Sequence, residues 1–125
     1  MTEFKREGDG YFAFAIIKEP LRDLDANIAE KMGLFNPKTD AWFDNIEVDP
    51  EKRGQGIARR ILNELIDDCY DKEVLKIVGV FSPNDPYDDD SSLAALLHMG
   101  AVPSEFGNDV LLTFDLKYPR LTSRY

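Results

Sequence analysis

Apolar and polar positions follow two different periods along this chain, and the switches between them mark its elements. Thr2 to Glu7 and Tyr11 to Lys18 read as strands around a Gly8-Asp9-Gly10 turn, a hairpin pattern. The second is apolar at consecutive positions, Phe12 through Ile17, as expected of an interior strand covered on both faces. From Pro20 to Met32 the period lengthens. Leu21, Leu24, Ile28 and Met32 recur at helical spacing, Pro20 suits a first helical position and Gly33 suits a stop, so a helix is expected. Asn36-Pro37-Lys38-Thr39-Asp40 reads as a turn.

Ala41 to Val48 then reads as a strand, with Trp42, Ile46 and Val48 on one face and Phe43, Asn45 and Glu47 on the other. Asp49-Pro50 closes it. From Ile57 to about Tyr70 a helix is expected, because Ile57, Ile61, Leu62, Leu65, Ile66, Cys69 and Tyr70 form one broad apolar stripe. Val74 to Phe81 is a buried strand. The order strand, helix, strand implies a parallel pair with a right-handed crossover.

Ser82 to Asp90 is a polar loop ending in three aspartates, and Ser91 or Ser92 caps a short helix that runs to Met99 and stops at Gly100. The aspartates favour that helix start. They lack the alternating acidic pattern, central glycine and closing glutamate of a calcium loop, so no metal site is expected. Ala101 to Phe106 and Asp109 to Lys117 form a final hairpin around Gly107-Asn108, and residues 118–125 are a loosely held tail. The pattern is that of a mixed α/β (α+β) chain, without repeats or low-complexity linkers, in one domain over 1–125.

Composition narrows the function classes. No apolar run approaches the roughly 20 residues of a membrane span, and no apolar signal core follows Met1, so a non-membrane, cytoplasmic protein is expected. One cysteine, Cys69, makes no internal disulfide, and on a helix stripe it reads as a buried structural thiol. With 24 acidic and 15 basic residues the formal net charge is -9. That argues against binding the phosphate backbone of nucleic acid and is compatible with a cationic substrate or with plain solubility.

Against that acidic background, Arg53-Gly54-Gln55-Gly56-Ile57-Ala58 is distinctive. Two glycines at the passage from strand to helix let the backbone come close to a ligand. The amides of the first helical turn point outward, where an anion can take them. Lys52, Arg53, Arg59 and Arg60 surround this turn. Cations at a helix N-terminus oppose the helix dipole by up to about 1 kcal/mol each, and a bound phosphate reverses that penalty. The turn therefore reads as a phosphate or pyrophosphate cradle. It is not a P-loop, since no Lys-Ser or Lys-Thr pair follows the second glycine. It is not a dinucleotide fingerprint, since Arg59 stands where a third small residue is needed.

The segment Ile46 to Leu62 resembles the coenzyme A-binding motif of the GNAT superfamily of N-acetyltransferases: Arg or Gln, two residues, Gly, one residue, Gly or Ala, after a strand ending in Val-x-Pro. Arg53, Gly56 and Ala58 fill the defining positions, and Val48-Asp49-Pro50 supplies the lead. The resemblance extends over about 41–117; the part before it is short for the family, with one helix, placed after the first hairpin. It implies a mixed central sheet with a splayed parallel strand pair, Ala41 to Val48 beside Val74 to Phe81, flanked by helices. It implies acetyl coenzyme A as cosubstrate, with main-chain bonds to its pantetheine arm near Ile46 and Val48. Its pyrophosphate would lie on amides of Arg53, Gly54, Gln55, Gly56, Ile57 and Ala58, with Asn84 standing for the asparagine that commonly opens the late helix.

The implied reaction is direct attack by an amine, of a small molecule or a protein, on the thioester. It needs a base, an oxyanion donor and a proton for the departing thiolate. Glu47 is the base candidate beside the thioester, with Asp44, on the opposite sheet face, and His98 behind it. The family's usual tyrosine falls at Leu96 and its usual aromatic at Ala101, so coenzyme binding is better supported than turnover; Tyr87 serves only if its loop folds inward. The alternative is a catalytically weak or inactive coenzyme-binding or protein-interaction module. A homodimer is compatible with either.

Overall fold

A computed structural model describes residues 3–20, 23–82, 94 and 96–116. Thr2, Leu21, the loop 83–90 with Asn84 and Tyr87, the caps Ser91 and Ser92, and the tail 118–125 lie outside the described residues. A first hairpin pairs β1 (Glu3–Gly8) with β2 (Tyr11–Ile17). There follow α1 (Leu24–Lys31), β3 (Ala41–Val48), a 3-10 turn (Pro50–Lys52), α2 (Ile57–Asp71), β4 (Lys76–Phe81), β5 (Val102–Phe106) and β6 (Asp109–Asp115). Ala94 and residues 96–98 are helical. The six strands form one mixed sheet in the order β1-β2-β3-β4-β6-β5, antiparallel except between β3 and β4.

That parallel pair is short. Ala41, Trp42 and Phe43 pair with Ile77, Val78 and Gly79, and the pairing then stops. At the same level β3 carries a bulge: Phe14 pairs with Asn45 and Ala15 with Phe43, leaving Asp44 unmatched. An extra residue bends a strand and shifts its alternation by one. Phe43 therefore joins Ile46 and Val48 in the core under α2, while Trp42 packs on the other face with Phe35, their rings edge to face at 5.2 Å. The expected grouping of Trp42 with Ile46 and Val48 is corrected in this way. Gly79 allows the approach: a Cβ there would stand 3.1 Å from the Phe43 carbonyl oxygen.

The two faces are covered unequally. On one, α2 lays Ile61, Leu62, Leu65, Ile66 and Cys69 against Phe4, Ala13, Ala15, Ile17, Phe43 and Ile77, as its apolar stripe requires. On the other, Ala26 and Ala29 of α1 pack with Phe35, Trp42, Val78 and Leu111. Leu24, Ile28 and Met32 of α1 are exposed, so the stripe expected from their spacing is not the buried one; two alanines let the helix sit close to the sheet. α1 also begins later than Pro20, because the Asp23 carboxylate accepts from the Ala26 N–H at 3.0 Å and caps it.

The turn before β3 is held by a buried carboxylate. Asp40, 1% exposed, accepts from the Asn36 N–H at 2.8 Å and the Thr39 hydroxyl at 3.0 Å. Leu75 donates its N–H to the Thr39 carbonyl at 2.9 Å, which brings the start of β4 beside the start of β3. β4 begins at Lys76 rather than Val74: Glu73 takes a positive φ of 57° and Val74 donates to the Cys69 carbonyl, closing α2.

Candidate active site

The passage from β3 to α2 opens a cleft of about 470 Å³. Gly54 and Gly56 turn the chain at φ of 81° and 78°, a region that favours glycine, and nothing lies within 4 Å of the place where either would carry a Cβ. Gly56 is the left-handed N-cap of α2 and no side chain caps the helix. Among the described residues no acceptor takes the N–H groups of Ile57, Ala58 and Arg59, and no acid stands in the first turn. These amides and the open space above both glycines fit an anionic diphosphate.

Val48, Arg53, Gly54, Gly56, Ile57 and Ala58, all expected at the site, line the cleft. Gln55 is exposed at the turn without lining it, and Ile46 lies instead in a small cavity between the parting strands, with Phe43, Asp44, Asn45, Val80 and Phe81. The cations divide. Lys52 and Arg59 line the cleft, Lys52 also pairing with Asp9 at 3.3 Å. Arg60 turns away, over the Tyr11 ring and towards Glu64. The Arg53 Nε–H donates to the Val48 carbonyl at 3.0 Å, which ties the glycine turn to the end of β3.

Among the base candidates, Glu47 is exposed on the face away from the cleft, its carboxylate reached by the Asn45 amide at 3.5 Å. Asp44, set at the bulge, lines the cavity between the strands while staying exposed at its mouth, and partial burial, then Asp23, push its carboxyl above the usual carboxylate range. Its place there follows from the bulge, which strand alternation in the sequence does not reveal. His98 lines the cleft beside the glycine turn, and sequence position gave no sign of this. Leu96 is 5% exposed and packs in the core, so the position of the family's tyrosine supplies only contact area. The Cys69 thiol, fully buried, is pushed up to about 12 by burial and by Asp68, against the opposing effect of Lys72. It is an inert packing group. Among the described residues no cluster of metal-ligating side chains forms, and no helix is long and apolar enough to cross a membrane.

Residues 9–87 match the acetyltransferase (GNAT) family. The chain belongs to that family. No curated protein sequence matches it. The fold is similar to the ribosomal-protein-S18-alanine N-acetyltransferase from Escherichia coli, at 16% identity and a TM-score of 0.60, over 98% of this chain and 73% of that one. It is similar to the NatC complex bound to Gag peptide and CoA, at 16% identity and a TM-score of 0.59, over 86% of this chain and 61% of that one. A GNAT family acetyltransferase from Elizabethkingia anophelis with acetyl-CoA bound matches at 15% identity and a TM-score of 0.54, over 86% of this chain and 69% of that one. The chain thus spans less than two thirds of the length of the NatC chain it matches.

Proposed function

We propose that this protein transfers an acetyl group from acetyl coenzyme A to an amine. One observation carries the reading: the amides of Ile57, Ala58 and Arg59, unclaimed among the described residues, open into the cleft at the end of β3, the strand that parts from β4 after Phe43. The Arg53 N–H is engaged by the Pro50 carbonyl at 3.4 Å, so the amides from Gly54 to Ala58 hold the diphosphate, with Lys52 and Arg59 adding charge and His98 lining the same cleft. Main-chain groups near Ile46 and Val48 hold the pantetheine arm, and Asn84, outside the described residues, is a further coenzyme contact in this reading. The bound thioester supplies an acetyl carbon open to attack by nitrogen. A carboxylate of β3 takes the proton of the incoming ammonium: Glu47 by way of water, or Asp44 at the parting itself. Water protonates the departing thiolate, since no hydroxyl stands among the described residues lining the strand cavity.

Calorimetry with acetyl coenzyme A tests the reading. Micromolar to sub-millimolar binding is expected, and no heat at millimolar ligand overturns it. The buried Leu96, where a hydroxyl would serve a departing thiolate, favours a second reading, a coenzyme-binding interaction module without turnover. Release of free thiol from acetyl coenzyme A across an amine panel dismisses it.

A further inference from the structure

Among the described residues, the sheet face opposite α2 is only half covered. α1 and Phe35 lie over β3, β4 and β6, and the part over β1 and β2 is left as an open groove of about 310 Å³. Its lining is Glu3 and Lys5 from β1, Phe12 and Phe14 from β2, and Asp44 and Asn45 from β3. Asp44 and Asn45 also line the cavity between the parting strands. The bulge thus joins the groove to the place where the thioester lies in the proposed function.

We propose that this groove receives the acceptor, and that the acceptor is a small aliphatic diamine: its reacting nitrogen at Asp44, its methylenes on the Phe14 ring, its second ammonium at Glu3. This rests on the acetyl-transfer reading and adds the substrate class. The half-buried Phe14 ring stands on β2 between the strands of the two carboxylates, while Phe12 lies further along, level with Glu7 and Glu47. Glu3 is level with Ile16 and Asp44 falls between Phe14 and Ala15, so they stand two strands apart and offset along them, about 11 Å at ordinary strand spacing. A short alkyl chain with a cation at each end spans that distance. Charge favours the same occupant. Asp23 acts on Asp44 from the start of α1, and Lys5, the one cation among the described residues lining the groove, is drawn to Glu7 at 3.6 Å. Lys5 also lies over the Phe12 ring, 5.8 Å from its centre, so its charge sits towards Glu7 and away from Glu3.

The chemistry balances. The ammonium gives one proton to the Asp44 carboxylate, and the freed nitrogen lone pair forms a C–N bond at the acetyl carbon. The C–S bond breaks and its electron pair leaves on sulfur as the thiolate. The nitrogen then loses a second proton. One proton ends on sulfur and the other in solvent, giving an N-acetyl amine and free coenzyme A.

The test combines binding with kinetics on the intact protein. Calorimetry without coenzyme is expected to show diaminopentane binding and much weaker binding of pentylamine. Exposed Glu3→Gln is expected to raise KM for diaminopentane roughly fivefold with kcat unchanged. Phe14→Ala should raise KM about tenfold, and Asp44→Asn should lower kcat about a hundredfold. Coenzyme binding by each variant serves as the control for folding. Equal affinity for pentylamine and diaminopentane, preference for a lysine-bearing peptide, or a KM indifferent to Glu3→Gln overturns the diamine assignment. Coenzyme binding without any diamine binding overturns this inference and leaves the proposed function standing. Diamine binding without coenzyme binding overturns the proposed function, and the acceptor assignment with it.

Discussion

The Arg53 side chain reaches back across the 3-10 turn and donates through Nε to the carbonyl of Val48, 3.0 Å away. The motif's arginine is thereby a positioning residue, which sets the angle between the end of β3 and the glycine turn. Arg53→Ala is expected to weaken coenzyme binding about tenfold, the worth of one charge-assisted hydrogen bond. Arg53→Gln keeps a donor of shorter reach and should recover part of the loss. Calorimetry on both variants checks this, and equal losses would argue for a contact with the ligand's charge instead.

Gly56 needs its left-handed backbone more than it needs room. An added Cβ meets nothing, so Gly56→Ala strains the fold by about 1–2 kcal/mol and should lower the melting temperature by several degrees. Gly56→Glu adds bulk and negative charge above the unclaimed amides and is expected to abolish coenzyme binding in a folded protein. Unchanged affinity would place the diphosphate elsewhere.

Asp44 and Asp25 both carry carboxyls raised above the ordinary value of 3.8, chiefly by burial and next by Asp23. The folded state therefore holds these protons more tightly than the unfolded chain does. Their ionisation weakens the fold: the penalty is absent below pH 3.8 and enters as pH rises through the raised folded values. Asp44→Asn should raise the melting temperature at pH 7 and leave it unchanged at pH 3. Thermal melts across that range decide, and a gain of equal size at both ends contradicts the assignment.

Cys69 should resist thiol reagents at pH 8 in the folded protein, because its thiol is buried and pushed up to about 12. Labelling is expected to follow global unfolding in rate and denaturant dependence. Rapid labelling of the native protein would mean that the C-terminal half of α2 opens locally.

Much of this fold was legible in the sequence. α2 begins at Ile57, as its stripe and the preceding glycines required, and β3 spans Ala41–Val48 as expected. These segments carry their own signals: a wide apolar face, a left-handed glycine, a proline after a strand. The bulge at Asp44 carries none, because it arises from the pairing of β3 with β2, and it alone decides that Phe43 rather than Trp42 faces α2. The face of α1 was misjudged for another physical reason. Periodicity weighs the size of Leu24, Ile28 and Met32, whereas the sheet surface admits only the close approach of Ala26 and Ala29. The start expected at Pro20 passed over Asp23, which stands three residues before the amide it caps. The glycine turn was identified from motif spacing, but the division of its cations between cleft and hairpin depends on side-chain partners far along the chain, such as Glu64.

Only three residue pairs join β3 to β4. The sheet is therefore two three-stranded halves, β1-β2-β3 and β4-β6-β5, stitched along a seam three residues long. Beyond the seam, among the described residues, the edge of β3 from Asp44 to Val48 faces no strand. An extended guest lodged there takes the place of a missing strand, and the same contacts that hold it lock the two halves together.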